Sequence, residues 1–346
     1  MDMSNNTLRY NNAKIEGIVT VTGDKKVDFM SSFSDYNLTE LDAKRISKVM
    51  GLSSRYVVSG EQTTSDLCFE ASKKLLEGTN IGPKDIGGLI FVSQSPDFSS
   101  PATAISLQHR LGMRTSSLCF DIRLGCSGFV YGLASAYGFI EAGANNIILC
   151  VGDVASKLVK LSDHTVAPIM GDAGSAVLIQ RKKSKSIFNL YSDGSGYDAL
   201  IIPNSGIRKE SQFKDVDPFM KMDGAKVFDF TLKRVPSLIN NIIDESEISK
   251  DSIDYFVLHQ PNKYMLQNIN KRLKIDSHKI PHSTQSIYGN QNSASITGTI
   301  NGFLGEKYSS ESLKTLIAGF GIGLSWGAAI IETDNIFAPK SFKAGD

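Results

Sequence analysis

The chain has 346 residues, and its 37 Lys and Arg balance 36 Asp and Glu, so the formal net charge is +1. Such a balance excludes a nucleic-acid coat and a strongly charged membrane face. No apolar run reaches the roughly 18 residues of a spanning helix, and the polar start at Met1 lacks the apolar region of a signal peptide. We therefore expect a cytoplasmic protein without membrane insertion.

Four segments of the first half carry secondary-structure signals. Residues 65–76 have helical periodicity, and residues 85–94 form an apolar run that ends in polar residues, as a buried strand does. Residues 118–142 contain a short apolar run, a Gly-Cys-Ser-Gly turn and an amphipathic helix pattern. Residues 146–151 lack strict alternation, which predicts a strand buried on both faces.

The second half repeats this order. Helical periodicity in residues 227–243 precedes a strand pattern in residues 252–260. The small residues that lead into an apolar strand at 172–179 recur at 325–331. Self-similarity at long period predicts a duplicated fold.

These elements predict a layered α/β architecture, because strands without alternation need helices on both faces of their sheet. At about 100–200 residues per domain, the length fits two modules or one large duplicated unit. We place an N-terminal half at residues 1–182 and a C-terminal half at residues 183–346, with an exposed polar loop near residues 204–223.

The turn at Cys126 contains the strongest candidate nucleophile. A thiol just ahead of a helix meets unpaired backbone N–H groups and the positive end of the helix dipole, both of which favour a thiolate. A buried structural cysteine is the alternative, since most free cysteines are buried. The other cysteines show no paired spacing for zinc or disulfides and are expected in the core as free thiols: Cys68, Cys119 and Cys150.

Three further stretches contain candidate site residues. His259 lies at the polar end of a predicted strand, where α/β proteins place ligand-facing groups, although a packed or surface histidine also fits. Residues 288–295 are rich in amides and hydroxyls, a composition that is also typical of a loop and helix N-cap. The glycines of residues 319–327 are able to aim backbone N–H groups at an oxyanion, which alone is a weak signal.

The order of these four stretches resembles that of the thiolase-fold condensing enzymes, and most of all the β-ketoacyl-acyl carrier protein synthase III family. The similarity extends from about residue 13 to residue 333. It is carried by the motifs at residues 51–55, 99–102, 125–128, 171–174, 259–262, 289–290 and 319–327.

The resemblance implies a thiolase-like, duplicated α-β-α-β-α fold and a Cys-His-Asn triad, for which Cys126, His259 and Asn290 occupy the matching positions. Asn292 is a competitor, but Asn290 directly follows the glycine, as in the family pattern. The backbone N–H groups of Cys126 and, by resemblance, Gly323 would form the oxyanion hole. No metal or cofactor is implied.

The implied reaction is a decarboxylative Claisen condensation that yields a β-ketoacyl thioester in fatty acid or related lipid metabolism. An acyl group held on Cys126 is attacked by the enolate of a malonyl-type thioester, and His259 and Asn290 donate hydrogen bonds to the thioester carbonyl as carbon dioxide leaves. The substrates are coenzyme A or phosphopantetheine thioesters, so the partners are acyl carrier protein and/or acyl-coenzyme A. The family also implies a homodimer whose sheets join edge to edge.

Departures from the family pattern concern the substrate. In the family, a tryptophan and a nearby arginine before the motif at residues 51–55 clamp the adenine of coenzyme A. That pair is absent here, where residues 44–50 read Lys-Arg-Ile-Ser-Lys-Val-Met, and the single tryptophan is Trp326. Tyr264 and Asp229 stand where the family has basic residues. These losses weaken the case for acyl-coenzyme A as primer donor and leave a carrier protein open.

The residue near the predicted acyl pocket also departs from the family. Ser100 is small, where members often place a bulky aromatic residue across the dimer interface. This suggests a pocket for a longer or branched acyl chain, with hydroxylated chains among the candidates. The sequence does not name the primer or the pathway.

Other functions of the same fold remain open at this stage. An acyltransferase would pass the Cys126 acyl group to an amine or hydroxyl, although that reaction demands less of His259 and Asn290. A non-catalytic partner subunit would have lost the cysteine. A thiolase would carry a second cysteine near the C-terminal glycines, and none follows Cys150. A hydroxymethylglutaryl-type synthase would need a glutamate base, for which Glu70 is poorly placed.

Overall fold

The structure is a computed structural model and describes residues 7–208, 210–214 and 216–346. Its strands are β1 (Thr7–Tyr10), β2 (Ala13–Thr22), β3 (Lys25–Asp28), β4 (Ser54–Val57), β5 (Gly88–Val92), β6 (Leu118–Ile122), β7 (Ile147–Asp153), β8 (Ala173–Arg181), β9 (Ser186–Ser192), β10 (Leu200–Ile201), β11 (Lys221–Met222), β12 (Tyr255–Leu258), β13 (Ser312–Gly321), β14 (Ser325–Asp334) and β15 (Phe342–Lys343). Its α-helices are α1 (Phe29–Ser32), α2 (Glu40–Met50), α3 (Thr64–Thr79), α4 (Thr103–Arg110), α5 (Gly128–Glu141), α6 (Gly224–Ser246), α7 (Lys263–Leu273), α8 (Thr284–Tyr288), α9 (Ser295–Thr299) and α10 (Gly305–Tyr308).

Two large sheets carry the architecture. The first has the order β15-β2-β8-β7-β5-β6, and the second has the order β1-β9-β14-β13-β12. In the first sheet β5 is parallel to both β6 and β7, and β7 is antiparallel to β8. In the second sheet β12 is parallel to β13, and β13 is antiparallel to β14. The two sheets therefore repeat a common plan, as the internal similarity of the sequence predicted.

Helices fill the space between the sheets and cover their outer faces. The middle layer is α5, with α9 beside it, and its apolar side chains pack against both sheets. The helices α6 and α7 cover the second sheet, while α3 and α4 cover the first. This sequence of layers confirms the predicted α-β-α-β-α architecture.

Burial follows position in the sheet. Every residue of β7 is buried, because helices lie on both of its faces, and this agrees with the prediction from residues 146–151. Strand β6 lies at the sheet edge, and all five of its residues are only half-buried. Cys119 of β6 is consequently less buried than predicted, whereas Cys68 and Cys150 have no exposed surface.

The boundary placed between residues 182 and 183 falls in the turn from β8 to β9. Two short strands pair across this boundary: β1 of the N-terminal half pairs with β9, and β15 of the C-terminal half pairs with β2. The chain ends thus tie each half to the sheet of the other.

Of the helices in the described ranges, none is long and apolar enough to cross a membrane.

Side-chain caps begin the helices that border the site. The Asp223 carboxylate accepts from the Lys226 N–H at 3.0 Å at the start of α6, and the Asn262 amide oxygen accepts from the Met265 N–H at 2.9 Å at the start of α7. Asn262 belongs to the His-Gln-Pro-Asn motif, so one member of that motif is used to begin a helix. Its neighbour His259 follows β12 and is free to face a cavity.

Candidate active site

Cys126 lies between β6 and α5, at the N-terminal end of the central helix. Its turn is held by the Gly128 N–H, which donates to the Gly125 carbonyl at 2.7 Å. Strand β13 passes so close that a Cβ added to Gly319 would lie 2.7 Å from the Cys126 carbonyl oxygen. A Cβ added to Gly321, whose φ is +156°, would lie 3.0 Å from Sγ. Glycines on β13 therefore allow the second half to touch the cysteine turn.

The resting Cys126 is a thiol. Burial, followed by the negative charge of Asp153, raises its pKa to about 12, while the backbone N–H groups of Ile322 and Cys126 act in the opposite direction. The side chain is only 6% exposed. The expectation of a thiolate at the helix end is therefore wrong for the unliganded protein, because the loss of solvation outweighs the fractional charge of the helix terminus.

Among the residues of the glycine-rich turn, Ile322 is the one whose backbone N–H lowers the pKa of Cys126. The predicted second oxyanion donor was Gly323, one residue later. A Cβ added to Gly323 would contact the backbone N and the side chain of Ser325, so this residue faces the start of β14. The oxyanion role of Gly323 stays a prediction, and Ile322 is the residue of this turn whose backbone N–H acts on the thiol.

His259 follows β12 and is 2% exposed. Its Nδ1 lies 2.7 Å from the Ser295 Oγ, and its ring meets the Phe320 ring edge-on with centroids 5.4 Å apart. Burial lowers the pKa of His259 to about 3, against an opposing backbone contact with Asn292. The imidazole is therefore neutral at any working pH and keeps one N–H to donate.

Asn290 is held by its backbone beside the loop that precedes β8. Its N–H donates to the Ile169 carbonyl at 2.7 Å, and its carbonyl accepts from the Gly171 N–H at 3.0 Å. The side-chain Oδ1 accepts from the Asn292 N–H at 3.0 Å. Because Oδ1 is occupied, the Nδ2 group of Asn290 is the part of the amide available to a ligand.

The structure brings all three predicted triad residues to one cavity of about 410 Å³, which Cys126, His259 and Asn290 all line. They come from different layers: the start of α5, the end of β12 and the loop after α8. The remaining wall is largely apolar and contains Met50, Met170, Met220, Met222, Met265, Phe228 and Phe320.

Asn292 also lines this cavity, and sequence reasoning missed its place. Its Oδ1 lies 3.7 Å from Sγ of Cys126, and its φ is +47°, a left-handed value that Asn tolerates better than most residues. The sequence had marked Asn292 only as a competitor of Asn290. Asn292 lies against the Cys126 sulfur, whereas the side chain of Asn290 accepts the backbone N–H of Asn292.

Asp153 is a second site residue that the sequence analysis did not single out. It ends β7, has no exposed surface, and accepts from the Gln94 N–H at 2.7 Å and the Ser293 Oγ at 2.9 Å. Burial raises its pKa to about 6. The signal was an acidic residue two positions after a strand predicted to be buried on both faces. Asp153 joins the end of β5 to the loop that carries Asn290 and Asn292.

Comparison with known proteins agrees with this geometry. A family model described as 3-oxoacyl-[acyl-carrier-protein (ACP)] synthase III matches residues 120–194, and the model for the C terminal of that family matches residues 243–333. A putative 3-oxoacyl-[acyl-carrier-protein] synthase 3 of Campylobacter jejuni is 33% identical over 346 residues, covering 95% of this chain and 96% of the relative.

Two further relatives extend the comparison. A beta-ketoacyl-[acyl-carrier-protein] synthase III of Streptococcus pneumoniae is 34% identical over 292 residues, covering 83% of this chain and 89% of its own. The crystal structure of a 3-oxoacyl-(acyl-carrier protein) synthase from Burkholderia xenovorans LB400 superposes with a TM-score of 0.94 at 31% identity, over 99% of this chain and 100% of that one. Shared identity over nearly complete chains, with a shared fold, shows that this chain belongs to the 3-oxoacyl-[acyl-carrier-protein] synthase III family of thiolase-fold condensing enzymes.

Proposed function

We propose that the protein is a β-ketoacyl thioester synthase that joins an acyl group on Cys126 to a malonyl unit carried by an acyl carrier protein. The observation that carries this proposal is the meeting of a buried thiol, a neutral imidazole and a carboxamide in one cavity. Family membership supplies the reaction class, and the arrangement of donors supports the individual roles.

In the first step Cys126 attacks the carbonyl of an acyl thioester. The oxygen of the tetrahedral intermediate is held by the N–H groups of Cys126 and Ile322. The intermediate collapses to an acyl-cysteine, and the thiol proton of Cys126 ends on the departing thiol. Covalent capture divides the transfer into two easier reactions.

In the second step the malonyl thioester loses carbon dioxide. His259, through its Nε2–H, and Asn290, through Nδ2, donate to the thioester carbonyl and stabilise the enolate. For His259 this requires the Ser295 hydroxyl to donate to Nδ1, a geometry that the 2.7 Å contact permits. The enolate carbon then attacks the acyl group and releases the Cys126 sulfur.

An acyltransferase that ends at an amine or hydroxyl acceptor is the second candidate. It uses the same acyl-cysteine but needs a base to remove a proton from the acceptor. His259 is a poor base, because burial has lowered its pKa to about 3. Two neutral donors facing one cavity favour stabilisation of an enolate, so we place condensation first.

The cavity wall suits the uncharged arm of a carrier. None of its lining residues in the described part of the chain is charged. The rings of Phe228 and Tyr264 stack at its wall with centroids 5.5 Å apart. Tyr264 and Asp229 stand where the family has basic residues, and the Asp229 carboxylate is paired with Lys233 at 2.8 Å. A phosphopantetheine thioester therefore fits, and both carrier protein and coenzyme A remain candidate primer donors.

Acylation of Cys126 provides the primary test. Incubation with acetyl, butyryl and longer thioesters, on coenzyme A and on a carrier protein, should add the acyl mass to the peptide that contains Cys126. Intact-mass and peptide spectrometry of the wild type and of Cys126→Ala measure this. Labelling of Cys126→Ala to the same extent would show that another residue is the nucleophile.

Decarboxylation separates the roles of the triad. We expect His259→Ala and Asn290→Ala to release carbon dioxide from malonyl thioester about 100-fold more slowly, which is the usual cost of one lost oxyanion donor. Both variants should still form acyl-Cys126. Carbon dioxide release and acyl mass are measured on the same samples. Decarboxylation at the wild-type rate in both variants would rule out the roles given to His259 and Asn290. A wild-type protein that acylates an amine without releasing carbon dioxide would rule out condensation.

Asp153 should control the reactivity of the free thiol. Because its charge raises the pKa of Cys126, Asp153→Asn should lower that pKa and make alkylation by iodoacetamide severalfold faster at neutral pH. The gain should shrink below about pH 6, where Asp153 of the wild type becomes protonated. Alkylation of Cys126 is followed against pH by peptide mass spectrometry. Superimposable profiles would refute the electrostatic role.

We also propose a homodimer that pairs the β6 edges of two copies. Among the strands of the described ranges, β5 is the one neighbour of β6. Large apolar side chains on this side of the molecule are exposed, among them Phe98 at 64% and Ile105 at 50%. An unpaired edge flanked by apolar surface is a site of association.

Light scattering should give about twice the chain mass of 37.6 kDa. Phe98→Glu should shift the protein toward monomer, because it places a charge in the interface. Leu161→Glu, at a residue with 53% exposure in another loop, is the matched control and should remain dimeric. A wild type that is monomeric at micromolar concentration would exclude the interface.

A further inference from the structure

One carboxamide lies against the sulfur of Cys126, and a second lies against the neighbouring Gly125. Asn292 is 3% exposed and places Oδ1 3.7 Å from Sγ of Cys126. Gln94 approaches from the end of β5, and a Cβ added to Gly125 would lie 2.1 Å from the Gln94 Oε1. Both residues line the cavity together with Cys126. An acyl group bonded to the sulfur therefore shares this cavity with both carboxamides.

The hydrogen-bonding state of Asn292 depends on the free thiol. Its Oδ1 accepts from Sγ–H of Cys126, and no other donor to it is found in residues 7–208, 210–214 and 216–346. Its Nδ2 faces the Met170 sulfur at 4.0 Å, which is a weak acceptor. Acylation removes the thiol proton, so Oδ1 loses its donor at the moment the substrate is attached.

A buried amide left without partners destabilises the acyl-enzyme, so an acyl chain that restores a partner is favoured over one that does not. A hydroxyl both donates and accepts, and thus satisfies Oδ1 and Nδ2 of Asn292 or the amide of Gln94. An oxo group only accepts and leaves Oδ1 unpaired. The oxygen of a hydroxyl on C2 or C3 of the acyl group is three or four bonds from the thioester sulfur, and both carboxamides line the cavity that holds the sulfur.

We propose that the acyl group transferred to Cys126 is a short hydroxyacyl group, recognised through its C2 or C3 hydroxyl by Asn292 and Gln94. This rests on the proposed function, since it names the primer class of the same thioester synthase. It makes the two residues specificity determinants and leaves the roles of the triad unchanged.

The test measures competition between primers that differ only in the hydroxyl. The primers are pantetheine thioesters of butyrate, 2-hydroxybutyrate and 3-hydroxybutyrate, with both enantiomers of each hydroxyacid. Pantetheine is the arm that coenzyme A and acyl carrier protein have in common. Acylation of Cys126 in the wild type is followed by mass spectrometry, and kcat/KM is compared in pairs. We expect one hydroxybutyryl thioester to exceed butyryl by about tenfold or more, the value of one buried hydrogen bond.

Substitutions identify the residues responsible. Asn292→Gly removes the carboxamide while accepting the left-handed φ of +47°, and Gln94→Leu keeps the side-chain size. Each should reduce the ratio of hydroxybutyryl to butyryl rates, and the double variant should bring it close to one. Asn80→Gly is the matched control, since Asn80 has a φ of +55° at the remote end of α3 and should leave the ratio as in the wild type.

The ratio is informative because a general loss of stability changes both rates together. A wild type that prefers butyryl, or that accepts both primers equally, overturns this inference while leaving the synthase intact. A hydroxyacyl preference that survives in both single variants and in the double variant also overturns it. Absence of acyl-Cys126 with every thioester would instead refute the proposed function itself.

Discussion

Burial of the site between two packed halves is the constraint on which the remaining features depend. Cys126, His259 and Asn290 are each at most 6% exposed, and they enter the cavity from separate layers of the fold. Loss of solvent raises the pKa of the thiol and lowers that of the imidazole, so both groups rest in their neutral forms. The cavity consequently holds neutral donors, and its wall, as far as residues 7–208, 210–214 and 216–346 form it, carries no cationic side chain.

Neutral donors suit a reaction in which negative charge appears and then moves. The tetrahedral oxyanion and the enolate each form for a short time, and fixed N–H groups stabilise them without trapping them as a permanent ion pair would. The low dielectric of the Met-rich wall strengthens these interactions. The same wall makes any unpaired amide costly, which is why Asn292 and Gln94 carry information about the substrate.

Asp153 connects this chemistry to the fold. Its carboxylate accepts hydrogen bonds from Gln94 on one side and Ser293 on the other, and so ties the end of β5 to the loop between α8 and α9. A buried anion beside the nucleophile opposes ionisation of the thiol. The site therefore combines a polar network that orients its loops with electrostatics that keep the cysteine protonated until a substrate arrives.

Local sequence patterns were sufficient for much of the architecture. The all-apolar run at β7 and the turn at Cys126 follow from nearest neighbours along the chain, and the repeated order of elements predicted two similar halves. The order of the motifs resembled that of the synthase III family, and this resemblance indicated Cys126, His259 and Asn290. The exchange of β1 and β15 between sheets has no such local signal.

The tertiary structure decided properties that depend on distance through space. The protonation state of Cys126 is set by burial and by Asp153, which is 27 positions away in the chain, and a helix-terminus argument omits both. The N–H of the glycine-rich turn that acts on the thiol belongs to Ile322, because backbone direction in a turn changes from one residue to the next. Asn292 and Asn290 could be told apart only by contacts, since two asparagines in one loop are chemically identical until packing gives each a different neighbour.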